Sequence, residues 1–209
     1  MNFTKQDILD CDRIKRLNII NSISGIKPGN LIGSISDKGT TNLAIISSVV
    51  HLSSNPPLIG FIMRPRGEVK RDTYNNIREN HLFTINHIPT SHIEQAHYTS
   101  AKFDTEISEF DRCGFTPEYI EGFKAPFVKE SKIKMGLKLV EEIPIPSSKT
   151  TMIIGEIQQL VLPDNAMNET GYINLEQAGT AGIAGLNSYY KLQFLDSFPY
   201  ARVEDVPTF

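Results

Sequence analysis

Residues 26–66, IKPGNLIGSISDKGTTNLAIISSVVHLSSNPPLIGFIMRPR, and residues 68–86, EVKRDTYNNIRENHLFTIN, decide the fold and contain the candidate site. Two apolar runs, Leu31–Ile35 and Leu58–Met63, flank a polar centre of Asn42, Ser47, Ser48, His51, Ser53 and Ser54. Pro28–Gly29 marks a turn before a first core strand, LIGSIS. Asp37–Lys38–Gly39–Thr40 carries a hairpin signal, with Gly39 suited to positive φ. The returning strand covers Asn42–Val50. Pro56 and Pro57 donate no backbone hydrogen bond, so the segment from Ser53 to Pro57 is expected to be a loop that ends strand pairing. Leu58–Met63 is expected to be a short strand covered on both faces. Glu68–Asn80 has Val69, Thr73 and Ile77 on one helical face, and His81–His87 is the next strand, ended by Pro89.

Outward from this stretch, Thr4 and Asp7 stand in capping-box relation and predict a short helix to about Arg16. Leu17–Ile23 is expected to be an edge strand. Ser91 and Glu94 predict a second capping box, with a helix through Ala96 or Tyr98. Asp104–Cys113 is a further short helix, stopped by Gly114. Ile133–Glu142 alternates apolar residues with Lys132, Lys134 and Lys138, the period of a half-buried antiparallel strand with a solvated lysine face. Residues 143–148 form a loop. Thr151–Leu162 is a long strand with Gly155 as its bend point. The glycines from Gly171 to Gly185 do not have GxGxxG spacing, so a small-residue helix at an interface is expected there. Many strands, few short helices and no repeating βα unit give a mainly β (α+β) fold, a closed or split antiparallel barrel.

The 209 residues suit one domain. A formal net charge of −3 gives no overall bias toward nucleic acid, so anion binding must be local. No apolar run reaches the roughly 18 residues of a membrane span, and the charged N-terminus lacks a signal-peptide core. Cys11 and Cys113 do not make a disulfide framework, which suits reduced thiols and a cytoplasmic location. His87, His92 and His97 are spaced five apart around Pro89, so no metal site is expected from them.

Arg64, Arg66, Lys70, Arg71 and Thr73 gather where a strand meets a helix. Cations at a helix N-terminus oppose its dipole, a conflict that a bound phosphate resolves. Charge-assisted hydrogen bonds to phosphate oxygens are short and strong. The alternative is a solvated basic helix start.

Four ordered stretches carry a family resemblance: IKPGNLIGSISDKGTTNLA, SSVVHLSSNPPLIGF, RDTYNNIRENHLFTIN and HIEQAHYTSAKF. From about Ile26 to about Asp196 the chain resembles the flavin reductase-like family, which implies an FMN-binding split β-barrel with short peripheral helices. The implied organisation is an N-terminal helical arm (1–25), the barrel domain (26–196) and a C-terminal tail (197–209). The resemblance places the flavin ring along Ser47, Ser48, Val49 and Val50, and its phosphate near Arg64, Lys70, Arg71 and Thr73. Asn42 and Asn86 are further polar candidates, and His51 lies nearest the expected ring. No catalytic acid or base is required, because the cofactor carries the redox chemistry.

The activity implied is an NAD(P)H-dependent flavin reductase or oxidoreductase, with NADH or NADPH as transient electron donor. A small molecule or free flavin is the acceptor. The partner implied is a second copy, in a homodimer with the flavin near the subunit interface. A non-catalytic FMN binder for storage or electron relay, a split-barrel oxidase, a haem binder of similar fold and a structural interaction module remain alternatives at this stage.

Overall fold

The computed structural model describes residues 1–65 and 72–208. At the N-terminus are α1 (Lys5–Asp10) and α2 (Arg13–Ser22). The strands β1 (Lys27–Pro28), β2 (Asn30–Ile35), β3 (Thr41–Ile46), β4 (Val50–Ser54) and β5 (Pro57–Met63) follow. Then come α3 (Asp72–Asn80), β6 (Leu82–His87), α4 (Ile93–Tyr98), α5 (Glu109–Cys113), β7 (Pro117–Glu118) and β8 (Phe127–Val128). Two long strands, β9 (Lys134–Ile145) and β10 (Thr150–Val161), precede α6 (Leu175–Ala178), β11 (Ala181–Ala184) and β12 (Ser188–Lys191).

The main sheet has seven strands in the order β3-β2-β6-β9-β10-β5-β4, all paired antiparallel. Its two edge strands, β3 and β4, are consecutive in the chain and separated only by Ser47–Val49. A chain advances at most about 3.3–3.6 Å per residue, so Ile46 and Val50 lie within about 14 Å. Seven flat strands at about 4.8 Å spacing would hold their edges about 29 Å apart. The sheet must therefore curl until β3 and β4 are neighbours. Because they do not pair, a seam remains, and the barrel is split.

Ile32, Phe61, Phe83, Ile85, Leu137 and Ile153 fill the barrel, and Tyr74 and Ile77 of α3 pack onto the same cluster. A second cluster, including Leu31, Leu43, Ile88, Phe110, Val128 and Ile183, joins the outside of β2 and β3 to α5, β8 and β11. Adjacent residues Leu31 and Ile32 thus point to opposite buried layers, as the two-residue period of a strand requires. The long β9–β10 pair changes register at Gly155. A Cβ added there would lie 2.6 Å from the Phe83 ring, so this expected bend point is also a place of close packing.

The Asp37–Thr40 turn forms as expected, with Gly39 at φ 87°. The Thr4–Asp7 capping box is present, but the helix stops at Asp10. Leu17–Ile23 is not an edge strand: Asp12 accepts hydrogen bonds from the Ile14 and Lys15 backbone and starts α2 over most of that segment. The prolines do not end pairing. Ser54 pairs with Pro57, so the Asn55–Pro56 dipeptide, whose peptide bond is cis, is the turn of the β4–β5 hairpin. Within the expected Leu58–Met63 strand, Gly60, Phe61 and Met63 are buried and Leu58, Ile59 and Ile62 half-buried.

Of the expected 68–80 helix, the described part is Asp72–Asn80, with Thr73 and Ile77 buried. The helix after Ser91 forms without the expected box: the Ser91 hydroxyl meets His92 Nδ1 at 2.9 Å. The Asp104–Cys113 helix is shorter, beginning at Glu109, and ends at left-handed Gly114. β9 runs on to Ile145 through the expected loop because it pairs with β10 throughout. Lys134 departs from the solvated lysine face: it is buried, with its ammonium against the Glu118 carboxylate. The small-residue segment is helical only over the single turn of α6, and from Ala181 it forms the β11–β12 hairpin. In β11, Gly182 leaves room for Ile26, whose side chain would lie 2.3 Å from an added Cβ.

Candidate functional site

The seam brings four pieces of the decisive stretch together. These are the end of β3, the Ser47–Val49 link, the end of β5 with Arg64 beyond it, and, across a buried polar network, the first turn of α3. The Ser48 hydroxyl donates to the Ile62 carbonyl at 3.3 Å and accepts from the Ile62 N–H at 3.0 Å. It therefore stitches the link to β5, and of the groups expected to meet a flavin ring on this segment its hydroxyl is used within the protein. By contrast, Ser47, Ser48 and Val49 make no backbone–backbone hydrogen bond among the described residues. These three residues are half-buried, and backbone groups without a protein partner are open to water or a ligand. They form a short row of donors and acceptors at the mouth of the barrel, and the Val49 side chain packs onto the barrel core.

Asn42 faces a buried network. Its Oδ1 accepts from the Thr73 hydroxyl at 2.6 Å and the Ser34 hydroxyl at 3.2 Å, while its Nδ2 donates to Glu109 at 2.8 Å. Glu109 also accepts from the Leu43 N–H at 3.0 Å, and Asn76 donates to Ser34. Burial pushes the Glu109 carboxyl above its ordinary range, with the Asp72 charge adding to the rise and the Leu43, Glu109 backbone and Asn42 hydrogen bonds opposing it. Asn42 and Thr73 thus fix the start of α3 against the barrel. A small cleft opens here, and Asn42 itself lines it together with Ser36, Thr41, Asp72, Asn76 and Thr105.

The remaining candidates separate. Arg64 is exposed at the end of β5. Lys70 and Arg71, with Arg66, lie outside the described residues. Val50 and His51 are exposed on the edge strand β4. Asn86 does not belong to this group. It is fully buried, its Nδ2 donates to the Leu31 carbonyl and the Thr84 hydroxyl, and its Oδ1 accepts from the Val128 N–H. It ties β6 to β2 and β8, with both amide hydrogens used within the protein.

Residues 26–180 match the family model described as the flavin reductase like domain. The chain belongs to the flavin reductase-like family. Its fold is that family's FMN-binding split barrel. The proposed flavin reductase with a split barrel domain from Shewanella frigidimarina NCIMB 400 is 46% identical, with a TM-score of 0.93 over 96% of this chain and 100% of that one. Nitrilotriacetate monooxygenase component B from Bacillus cereus shares the fold at 21% identity, TM-score 0.82, over 95% of this chain and 98% of that one. So does the 2-nitrobenzoate 2-nitroreductase of Pseudomonas fluorescens, at 20% identity and TM-score 0.80, over 100% and 99%. No helix among the described residues is long and apolar enough to cross a membrane.

Sequence reading of this flavin reductase-like chain missed Glu109. The only signal was an acidic residue in the middle of the expected 104–113 helix, and nothing local shows that it reaches Asn42, 67 positions away.

Proposed function

We propose that the chain holds FMN along the seam and acts as an NAD(P)H-dependent flavin reductase or oxidoreductase. The observation that carries this reading is the backbone of Ser47–Val49, without backbone partners among the described residues and set between the barrel edges next to an apolar side chain. The pyrimidine edge of an isoalloxazine needs alternating donors and acceptors, and its faces need apolar contact. The link offers both. Arg64, and by sequence Lys70 and Arg71, supply cations for the phosphate. The residues present therefore fit FMN.

Bound FMN would supply the hydride and electron transfer chemistry, with NADH or NADPH as a transient donor and a small molecule or second flavin as acceptor. The chain's part is binding and orientation. Ser48 fixes the link by gripping both polar groups of Ile62, so the donors of Ser47–Val49 are held in place before the ligand arrives. Asn42, Thr73 and Glu109 set the helix start that follows the cation-bearing stretch. His51 and Val50, exposed on β4, are available to the outer side of the ring or to the donor. The site is shallow, and we propose a cytoplasmic homodimer in which a second copy completes its wall.

An absorption spectrum of freshly purified protein, followed by steady-state oxidation of NADH and of NADPH with added FMN, tests the reading. Flavin bands and saturable turnover well above that of free flavin are expected. Bound flavin without turnover would reduce the chain to an FMN carrier, and a colourless protein that FMN does not stabilise would end the proposal.

A further inference from the structure

Residues 192–208 form an arm with almost no contact to its own chain. Phe198, Tyr200 and Val203 are 84%, 87% and 91% exposed, and Phe194, Leu195 and Val206 are exposed with them. Among the described residues, the arm's hydrogen bond back to the body is from the Phe194 N–H to Glu176. Segments that stay unfolded in water are poor in aromatic and β-branched residues, and this one is rich in them. Such a composition calls for a surface to cover.

The same chain offers one. The helix α2 buries none of its residues, and Ile14, Ile20 and Ile23 at its surface are exposed. Charge points the same way: α2 holds Arg13, Lys15 and Arg16 and no acid, while the arm holds Asp196, Glu204 and Asp205 against Arg202 alone. An apolar, acidic arm and an apolar, basic helix on one chain, unpaired within it, meet the condition for a self-complementary two-fold contact. We infer that the C-terminal arm docks on α2 of a second copy of this chain, so that two arms are exchanged. Three aromatic side chains per arm, at roughly 150–250 Å² each, bring two arms to about 900–1,500 Å², the scale of a stable interface.

This inference rests on the homodimer reading above but adds the elements that make the contact. Its test is light scattering across a dilution series for the full chain, for Phe198→Ser with Tyr200→Ser, and for Ile20→Ser with Ile23→Ser. Hydrogen exchange of the amides of residues 192–208 is followed in parallel. Phe198, Tyr200, Ile20 and Ile23 are all surface positions, and circular dichroism confirms that each variant is folded. The expected result is a dimer whose dissociation constant rises at least tenfold in both double variants, with arm amides protected in the dimer and exposed on dilution. A full chain that dimerises with an unprotected arm, or with an unchanged constant in either variant, overturns the exchanged arm and leaves the dimer standing. A monomer at 100 µM overturns both, and FMN binding measured on that monomer stands or falls separately.

Discussion

Ser48 shows how the partner of a hydroxyl can lie beyond any local reading of the sequence. Its place beside the site was legible in the sequence, but the Ile62 backbone that occupies its hydroxyl is brought there only by curling of the sheet. Ser48→Ala should unpair the Ile62 N–H and destabilise the ligand-free protein by about 1–2 kcal/mol, read as a lower urea midpoint. Asn42 and Thr73 were likewise chosen for their polarity, yet their partners Glu109 and Ser34 come from other elements. Glu109→Ala strands the Asn42 amide and the Leu43 N–H, a loss of roughly 1–3 kcal/mol. Glu109→Gln keeps an acceptor and removes a buried charge, so it should hold stability at neutral pH, where the raised carboxyl pKa makes the wild type carry that cost. His87 behaves in the opposite sense. Burial lowers its pKa from 6.5 to about 4, so between these values the unfolded chain binds a proton that the folded chain refuses. Stability should fall as pH drops from 6.5 to 4 and level off below, by at most roughly 3 kcal/mol, less because the side chain retains some solvent contact. Melting temperatures of wild type and His87→Asn across that range test this, with a flatter profile expected in the variant.

At the scale of elements, local chemistry was readable and non-local pairing was not. The Asp37–Thr40 turn and the Gly114 stop are set by a few consecutive residues, and both form. α2 was misread because its apolar residues suggested a strand while the Asp12 cap went unweighed. The β4–β5 hairpin was misread because proline was taken as a stop, although a proline outside the ladder bonds can sit in the turn itself. The small-residue run after Gly179 became β11 because β1 and β12 flank it on either side. The expected bend at Gly155 does more than bend: Phe83 and Leu137 crowd the space that a side chain would take. Gly155→Val should overpack this contact and cost about 1–3 kcal/mol, seen as a lower melting temperature with little change in the far-ultraviolet spectrum.

At the scale of the molecule, a seven-stranded sheet whose edges are joined by three residues has to close on itself, and the same three residues lie in the gap. Fold and candidate site are therefore one feature. The stretch 26–86 was legible as the centre of both, while the identity of the gap depended on a strand order that no local pattern encodes. The central claim is that this gap holds FMN, with the ring on the link and the phosphate among the cations that follow β5. Isothermal titration of the wild-type protein with FMN and with riboflavin tests it most directly, since the two ligands differ by the phosphate. One charge-assisted bond contributes about 1.5–3 kcal/mol, so the account predicts that both bind and that FMN binds at least roughly tenfold more tightly. Equal affinity for the two would contradict the phosphate site, and no saturable binding of either would contradict the account as a whole.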